Sequence, residues 1–376
     1  MRAPPTLLLV ASSLCLLGVG CEPEANASSE ALAEVAPAEV ASAPSAGGEP
    51  ERQPDGVPFP LPDPLPAVAL PRAIEGGEPA APGPAPVRAW VGGSGTADGR
   101  LHYPRAVVAG PGGAVFVADK SGRIQKWSPD GRLLAVVRAP AIGQGRPTGL
   151  GIDRAGRLLV ADTHYCRVLV YDADLRLLRA FGAPGPAPGQ LMLISGAQEG
   201  ADGRIYTTDY GDLVARVQVW SAVGEHRLAF GSFGDQPGQL RRPMNLAVDD
   251  GRDRVYVADA VNHRIAVFDR AGAWVTQLGV RGRAPGELDF PYDVELDAEG
   301  HVWVAEFGNQ RVSVFSPEGR SLGAWGEAGR ALGRLHRPWG LALTAPSSLW
   351  VLDSGNDRAY LLDRAAVLGS GAEAGR

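Results

Sequence analysis

From residue 87 onward, apolar and polar residues alternate in short runs. Each run ends on an acid, followed by a turn, an arginine and a second apolar run. Six copies stand in the chain: "VFVADKSGRIQKW" at 115, "LLVADTHYCRVLVY" at 158, "IYTTDYGDLVARVQVW" at 205, "VYVADAVNHRIAVF" at 255, "VWVAEFGNQRVSVF" at 302 and "LWVLDSGNDRAYLL" at 349. Their acids, Asp119, Asp162, Asp209, Asp259, Glu306 and Asp353, lie 43, 47, 50, 47 and 47 residues apart. Period-2 alternation of Val, Ile, Tyr and Trp between turn residues predicts strands. Each period has room for four, as in "GLALT" at 340–344, "LWVLD", "RAYLLD" and a strand like "SLGAWG" at 321–326.

A repeat of about 45 residues with four short strands is the pattern of a β-propeller blade. The expected fold is therefore all-β, a six-bladed propeller of four-stranded blades. The sixth copy lacks its last strand, because "AAVLGSGAEAGR" matches poorly. "VRAWVGG" at 87–93 looks like that strand, and the "GRLHYP" after it returns as "GRLHRP" at 333–338. An N-terminal strand completing the last blade would close the ring and remove two free edges.

"YVADAVNHRIAVFDRAG" and "WVAEFGNQRVSVFSPEG" resemble the NHL repeat, and the six copies resemble six-bladed NHL propellers over roughly residues 87–364. The resemblance is looser in blade one, where Asp119 to Arg123 is one residue short. It is weakest in blade three, where Asp209 to Arg216 is two residues long. The acid-to-arginine spacing reads as an ion pair tying strand two to strand three. Asn262, Asn309 and Asn356 suit turns with left-handed backbone angles. The recurring Trp127, Phe181, Trp220, Phe230, Phe268, Phe315 and Trp325 read as packing between blades.

Candidate chemistry lies where the repeats differ. Just after the usual proline, entering each innermost strand, stand Arg105, Thr148, Ser195, Met244, Tyr292 and Trp339. In propellers this point lies at the mouth of the central channel, so the six form the candidate ligand-binding set. The propeller of the peptide-amidating lyases places zinc-binding histidines after such a proline, and none of these six is histidine. Gluconolactonase-like propellers, also similar in architecture, hold a divalent ion with Asp, Asn and Glu. Gln198, Asn245, Asp293 and Glu295 on the inner strands would suit calcium in that role. No catalytic residue is assigned.

Composition then sets the context. "LLLVASSLCLLGV" behind Arg2 has the layout of an export signal, residues 1–20, and Gly20–Cys21 resembles a bacterial lipoprotein cleavage site with Cys21 carrying the lipid. Residues 21–86 read as a disordered Ala/Pro/Glu-rich tether. From Glu22 to Pro86 it holds eleven acids and two arginines, while the 33 basic and 31 acidic residues beyond it nearly balance. Residues 365–376 read as a flexible tail. Cys166 is left without an intramolecular partner. A near-neutral, exported domain without paired CxxC, GxSxG or phosphate-loop motifs argues against nucleic acid and against the common hydrolase and nucleotide sites. The expectation is an exported, lipid-anchored monomer, periplasmic or cell-surface. It would bind a protein, peptide or small molecule without a cofactor. The alternative is a divalent-metal-dependent hydrolase or lyase of the gluconolactonase or amidating-lyase type.

Overall fold

A computed structural model describes residues 71–73, 81–83, 86–211, 214–344 and 347–369. They form six antiparallel blade sheets with four strands in radial order, innermost first, all four from one repeat in blades one to five, and one short parallel pair, Ser232–Phe233 with Gln239–Leu240. The innermost strands are Pro104–Ala109, Gly149–Ile152, Leu193–Glu199, Pro243–Asp249, Pro291–Leu296 and Leu341–Thr344. Each packs against the next, and the sixth packs against the first. The chain is a six-bladed β-propeller.

The repeated acid and arginine face each other across strands two and three in every blade. All six acids are fully buried, and their ion-pair distances run from 2.6 to 3.0 Å. In blades two, four and six the link is a single turn of 3-10 helix. The two extra residues of blade three lengthen the hairpin instead, so that Asp209 still opposes Arg216 and Gly211 opposes Val214.

Five arginines reach further, to the connection entering their own blade. Arg216 donates to the carbonyls of Pro186, Ala187 and Gln190, Arg264 to Gln236 and Gln239, and Arg358 to Arg330, Ala331 and Arg334. These connections act as straps. Each ends on a leucine (Leu101, Leu191, Leu240, Leu288 or Leu335) that is fully buried and bridges back to the strap's start. The second strap glycine takes a φ of 78–85° at Gly99, Gly189, Gly238, Gly286 and Gly333, where a β-carbon would add strain. Blade two is the exception: its entry is the shorter 139–147, with Gln144 in the leucine's place. Aromatic pairs then close the outer seams, with Phe181 against Trp220 at 5.4 Å and Phe230 against Phe268 at 5.1 Å.

Val87–Gly92 pairs antiparallel with Arg358–Asp363, supplying the fourth strand of blade six. Two expectations change. Within 21–86, Arg72–Ala73 pairs with Val136 and Ala135, and Ala81–Pro82 pairs with Trp90 and Ala89. Each adds a fifth strand to a blade whose outer edge is otherwise free. The expected tail begins instead as a helix, Arg364–Gly369, because Val367 and Leu368 find apolar cover against blades five and six. The signal, Cys21, most of the tether and residues 370–376 lie outside the described residues.

Deleting 87–92 exposes the paired edge of Arg358–Asp363. The expected result is a lower unfolding temperature and an expanded or aggregating species on size-exclusion chromatography; an unchanged melt and a sharp monomer peak would refute the closure. In urea unfolding, Leu288→Ala is expected to cost about 2–5 kcal/mol. Gln144→Ala at the strapless entry should stay within roughly 0.5 kcal/mol.

Candidate functional site at the channel mouth

The first strands of blades one, three, four and five change register at their mouth residue. Such a bulge re-aims a side chain, here toward the ring axis. Arg105, Thr148, Ser195, Met244, Tyr292 and Trp339 consequently line one central pocket, together with Asn245 and Asp293. Ser195, Met244 and Tyr292 are buried within it. Ser195 donates to the carbonyl of Pro243 at 2.7 Å, and the Thr148 and Thr163 hydroxyls share a hydrogen bond at 2.6 Å. The enclosed volume is only about 10 Å³, near the minimum for a single water. The six residues thus form a packed neck, and a larger ligand meets its outer rim.

That rim is aromatic and cationic. Tyr292 stacks on Phe307 at 4.5 Å, and Trp339 meets Tyr292 edge-on at 4.7 Å and Tyr103 at 5.9 Å. The Arg105 guanidinium lies 5.3 Å from the Trp339 ring centre. That of Arg242 lies 5.6 Å from Tyr292 and 5.9 Å from Tyr210. Lys120 stands 5.9 Å over Tyr103. The residues preceding the mouth prolines, Tyr103, Arg242, Phe290 and Arg337, have φ of 46–56°. Left-handed backbone is costly for non-glycine residues, above all before proline, and such strain gathers at functional sites. The repeat register had singled out the post-proline residue alone. The same alignment carries the missed rim residues directly before the proline (Tyr103, Arg242) and directly after the buried acid (Lys120, Tyr210, Phe307).

Below the neck, Asn245 and Asp293 occupy equivalent positions, as do Gln198 and Glu295. Asp293 accepts from the Asn245 amide, from the Val294 N–H at 2.9 Å and from the Leu341 N–H at 2.7 Å. It therefore ties three neighbouring blades together. Burial pushes its carboxyl up to about 7. Glu295 remains half-buried on the channel side, and its carboxyl is raised well above the usual range by burial and by Asp293. The hard oxygens here suit calcium in kind. The arrangement does not fit it: Asn245 turns its N–H₂ toward Asp293, and backbone amides hold both Asp293 oxygens.

A second acidic group, Asp297, Glu299 and His301, lies in the turn after the first strand of blade five. Asp297 accepts from the Glu299 and His301 amides, the His301 ring and the Trp303 indole. Arg364 pairs with Asp297 at 3.6 Å and Glu299 at 3.3 Å, so a cation already sits against both carboxylates. Cys166 is half-buried, its S–H donating to the Met192 carbonyl, with its thiol pushed up first by burial. That is an unreactive setting.

Comparison with known proteins agrees with the architecture. The pattern of the SMP-30/Gluconolactonase/LRE-like region matches residues 197–327, about a third of the chain and including Gln198, Asn245, Asp293 and Glu295. The RING finger protein nhl-1 of Caenorhabditis elegans is 39% identical over 70 residues, 19% of this chain and 7% of that protein. Protein brain tumor of Drosophila melanogaster is 39% identical over 67 residues, 18% of this chain and 6% of that protein. The match thus spans under a tenth of either relative. Among solved structures, a gluconolactonase from Xanthomonas campestris superposes with a TM-score of 0.55 at 17% identity, over 78% of this chain and 99% of that one. Inactive virginiamycin B lyase from Staphylococcus aureus, solved with quinupristin, gives 0.51 at 14% identity, over 73% and 89%. At these identities the likeness is one of fold.

The raised carboxyls set a sign for pH. The folded chain keeps protons on Asp293 and Glu295 that the unfolded chain releases from about pH 4 upward. The Asp293 contribution to stability is full below that point and is lost as pH rises through about 7, and the raised Glu295 carboxyl acts in the same direction. Asp293→Asn should flatten this decline, read as the urea midpoint between about pH 5 and about pH 8. Parallel profiles for the two proteins would refute the assignment.

Proposed function

We propose that this propeller is a binding module that docks an acidic, aromatic-bearing peptide segment of a partner protein across the channel mouth. One observation carries the reading: a rim of Tyr103, Tyr292, Phe307 and Trp339 set among Arg105 and Arg242, over a neck with room for about one water. Aromatics and arginines dominate protein-binding surfaces, because they bury large area at little entropic cost and accept rings or anions on their faces. The nearby acids are already engaged, Asp357 by the Tyr103 N–H at 2.7 Å and Asp289 by His263 at 2.9 Å. Lys120 and Arg337 are exposed beside them. The rigid ring orders this surface in advance of binding.

A peptide of alternating Glu and Tyr should quench the tryptophan fluorescence saturably and in a salt-sensitive way. Arg105→Glu with Arg242→Glu, and separately Tyr292→Ala with Trp339→Ala, should each weaken binding by tenfold or more, about 1.4 kcal/mol. Equal affinity in both double variants would remove the mouth as the site.

Catalysis with a divalent ion is the second reading, favoured by the neighbouring carboxyls of buried Asp293 and half-buried Glu295 within the matched region. In it, Asp293, Glu295 and Asn245 would hold an ion that polarises a substrate carbonyl. Because Asp293 is held by amide donors, we expect calorimetric titration with calcium to give neither binding heat nor thermal stabilisation. A stoichiometric ion would shift the reading to the hydrolase. Export and lipid attachment at Cys21 belong to the same proposal, and Cys21→Ser should move the protein from the membrane to the soluble fraction.

A further inference from the structure

A groove recurs between the turn of one blade and the following strap, and its lining changes from seam to seam. At the seam of blades five and six it is lined by Arg283, Asn309, Arg311, Glu327 and Arg334, a charged set. At the seam of blades two and three, Tyr165 replaces the asparagine, Ala183 and Pro184 replace Glu327 and Ala328, and Phe181, Trp220 and His226 complete the wall. This cavity measures about 620 Å³, within the range of roughly 300–1,000 Å³ typical of small-molecule sites. It dwarfs the neck on the ring axis.

Two buried side-chain nitrogens bordering it have no hydrogen-bond partner among the described residues, Arg167 Nη2 and His226 Nε2. The cause lies in the entry to blade two. In the other five blades the arginine donates to strap carbonyls, whereas 139–147 offers none, and Arg167 keeps only its bond to Asp162 and the face of Tyr165 at 5.1 Å. The asparagine that donates to the acid in blades four, five and six is here Tyr165, whose hydroxyl instead accepts from the Gln144 N–H. Guanidinium is permanently charged, and a buried donor left unpaired is costly, so the site is complementary to an acceptor oxygen, best an anionic one. Burial and Arg216 lower the His226 pKa, against a backbone hydrogen bond at Leu228 that raises it.

We propose that this seam pocket is a second binding site, for a small molecule with an aromatic body and one carboxylate. The body lies against Phe181, Pro184 and Trp220, and the carboxylate faces Arg167 and His226.

The test uses the full chain and two probes of one shape, 1-naphthaleneacetate and 1-naphthaleneacetamide, titrated by calorimetry. The carboxylate should bind once per chain and at least about tenfold more tightly than the amide, reflecting charge-assisted hydrogen bonds. His226→Phe keeps the ring packing against Trp220 and should weaken the carboxylate several-fold. Ala183→Trp, at an exposed strap position, should fill the cavity and abolish binding while the thermal melt stays unchanged. Tyr292→Ala with Trp339→Ala, which disables the mouth, should leave it intact. No saturable binding of the carboxylate, equal affinity for both probes, or binding that survives Ala183→Trp overturns the proposal.

Discussion

The fold depends on a buried ion pair made six times. A carboxylate at the end of strand two has no access to water, and burial raises Asp162, Asp209, Asp259 and Asp353 above their ordinary range. Desolvating two charges costs several kcal/mol per ion, and the pair alone repays this only with good geometry and further hydrogen bonds. The straps supply those bonds in five blades. Their carbonyls take the remaining guanidinium hydrogens, and the amide just past the strap's leucine, such as Arg241 N–H or His336 N–H, satisfies the second carboxylate oxygen. One network therefore joins two strands of a blade to the chain segment entering it. The buried leucine at the strap's end adds apolar burial worth roughly 1.5–3 kcal/mol each.

The central neck is a consequence. Where the chain enters each innermost strand, helped by a bulge in blades one, three, four and five, the mouth residue turns inward and six side chains of unlike chemistry meet at one axis. Glycines on the inner strands of blades two and three let neighbouring backbones approach. A β-carbon on Gly149 would stand 2.2 Å from the Ser195 carbonyl oxygen, and one on Gly151 would stand 1.9 Å from that of Ala197. Across the ring, Asn245 and Asp293 fill the space with side chains that hydrogen-bond from blade to blade. The channel closes on both sides by different means, and the chemistry left for partners moves outward to the rim and to the seams.

Blade two shows what happens when one joint departs from the rule. Its short entry carries Gln144 where the other five carry leucine, and its turn carries Tyr165 where blades four to six carry asparagine. Asp162 Oδ1 and Arg167 Nη2 are left buried without a partner among the described residues as a result. Natural proteins keep such groups few, because each costs about 1–3 kcal/mol. The departure also leaves the following seam with an aromatic lining in place of a charged one.

Much of the architecture was legible in the chain. Period-2 alternation, six acids at near-constant spacing and a displaced "VRAWVGG" specify six blades and their closure, because strand pairing and repeat stacking are local, periodic properties. The convergence of Arg105, Thr148, Ser195, Met244, Tyr292 and Trp339 followed from the same register. Tyr103, Tyr210, Phe307 and Arg242 did not stand out, since their importance comes from rings and cations meeting across blades distant in sequence. The helix Arg364–Gly369 was equally hidden, as its order comes from apolar cover supplied by other blades. Whether six inward residues make an open site or a packed neck was decided by tertiary structure alone, because a cavity is the difference between a surface and the volume that fills it. The sequence by itself determined the ring; packing decided where the ring leaves room.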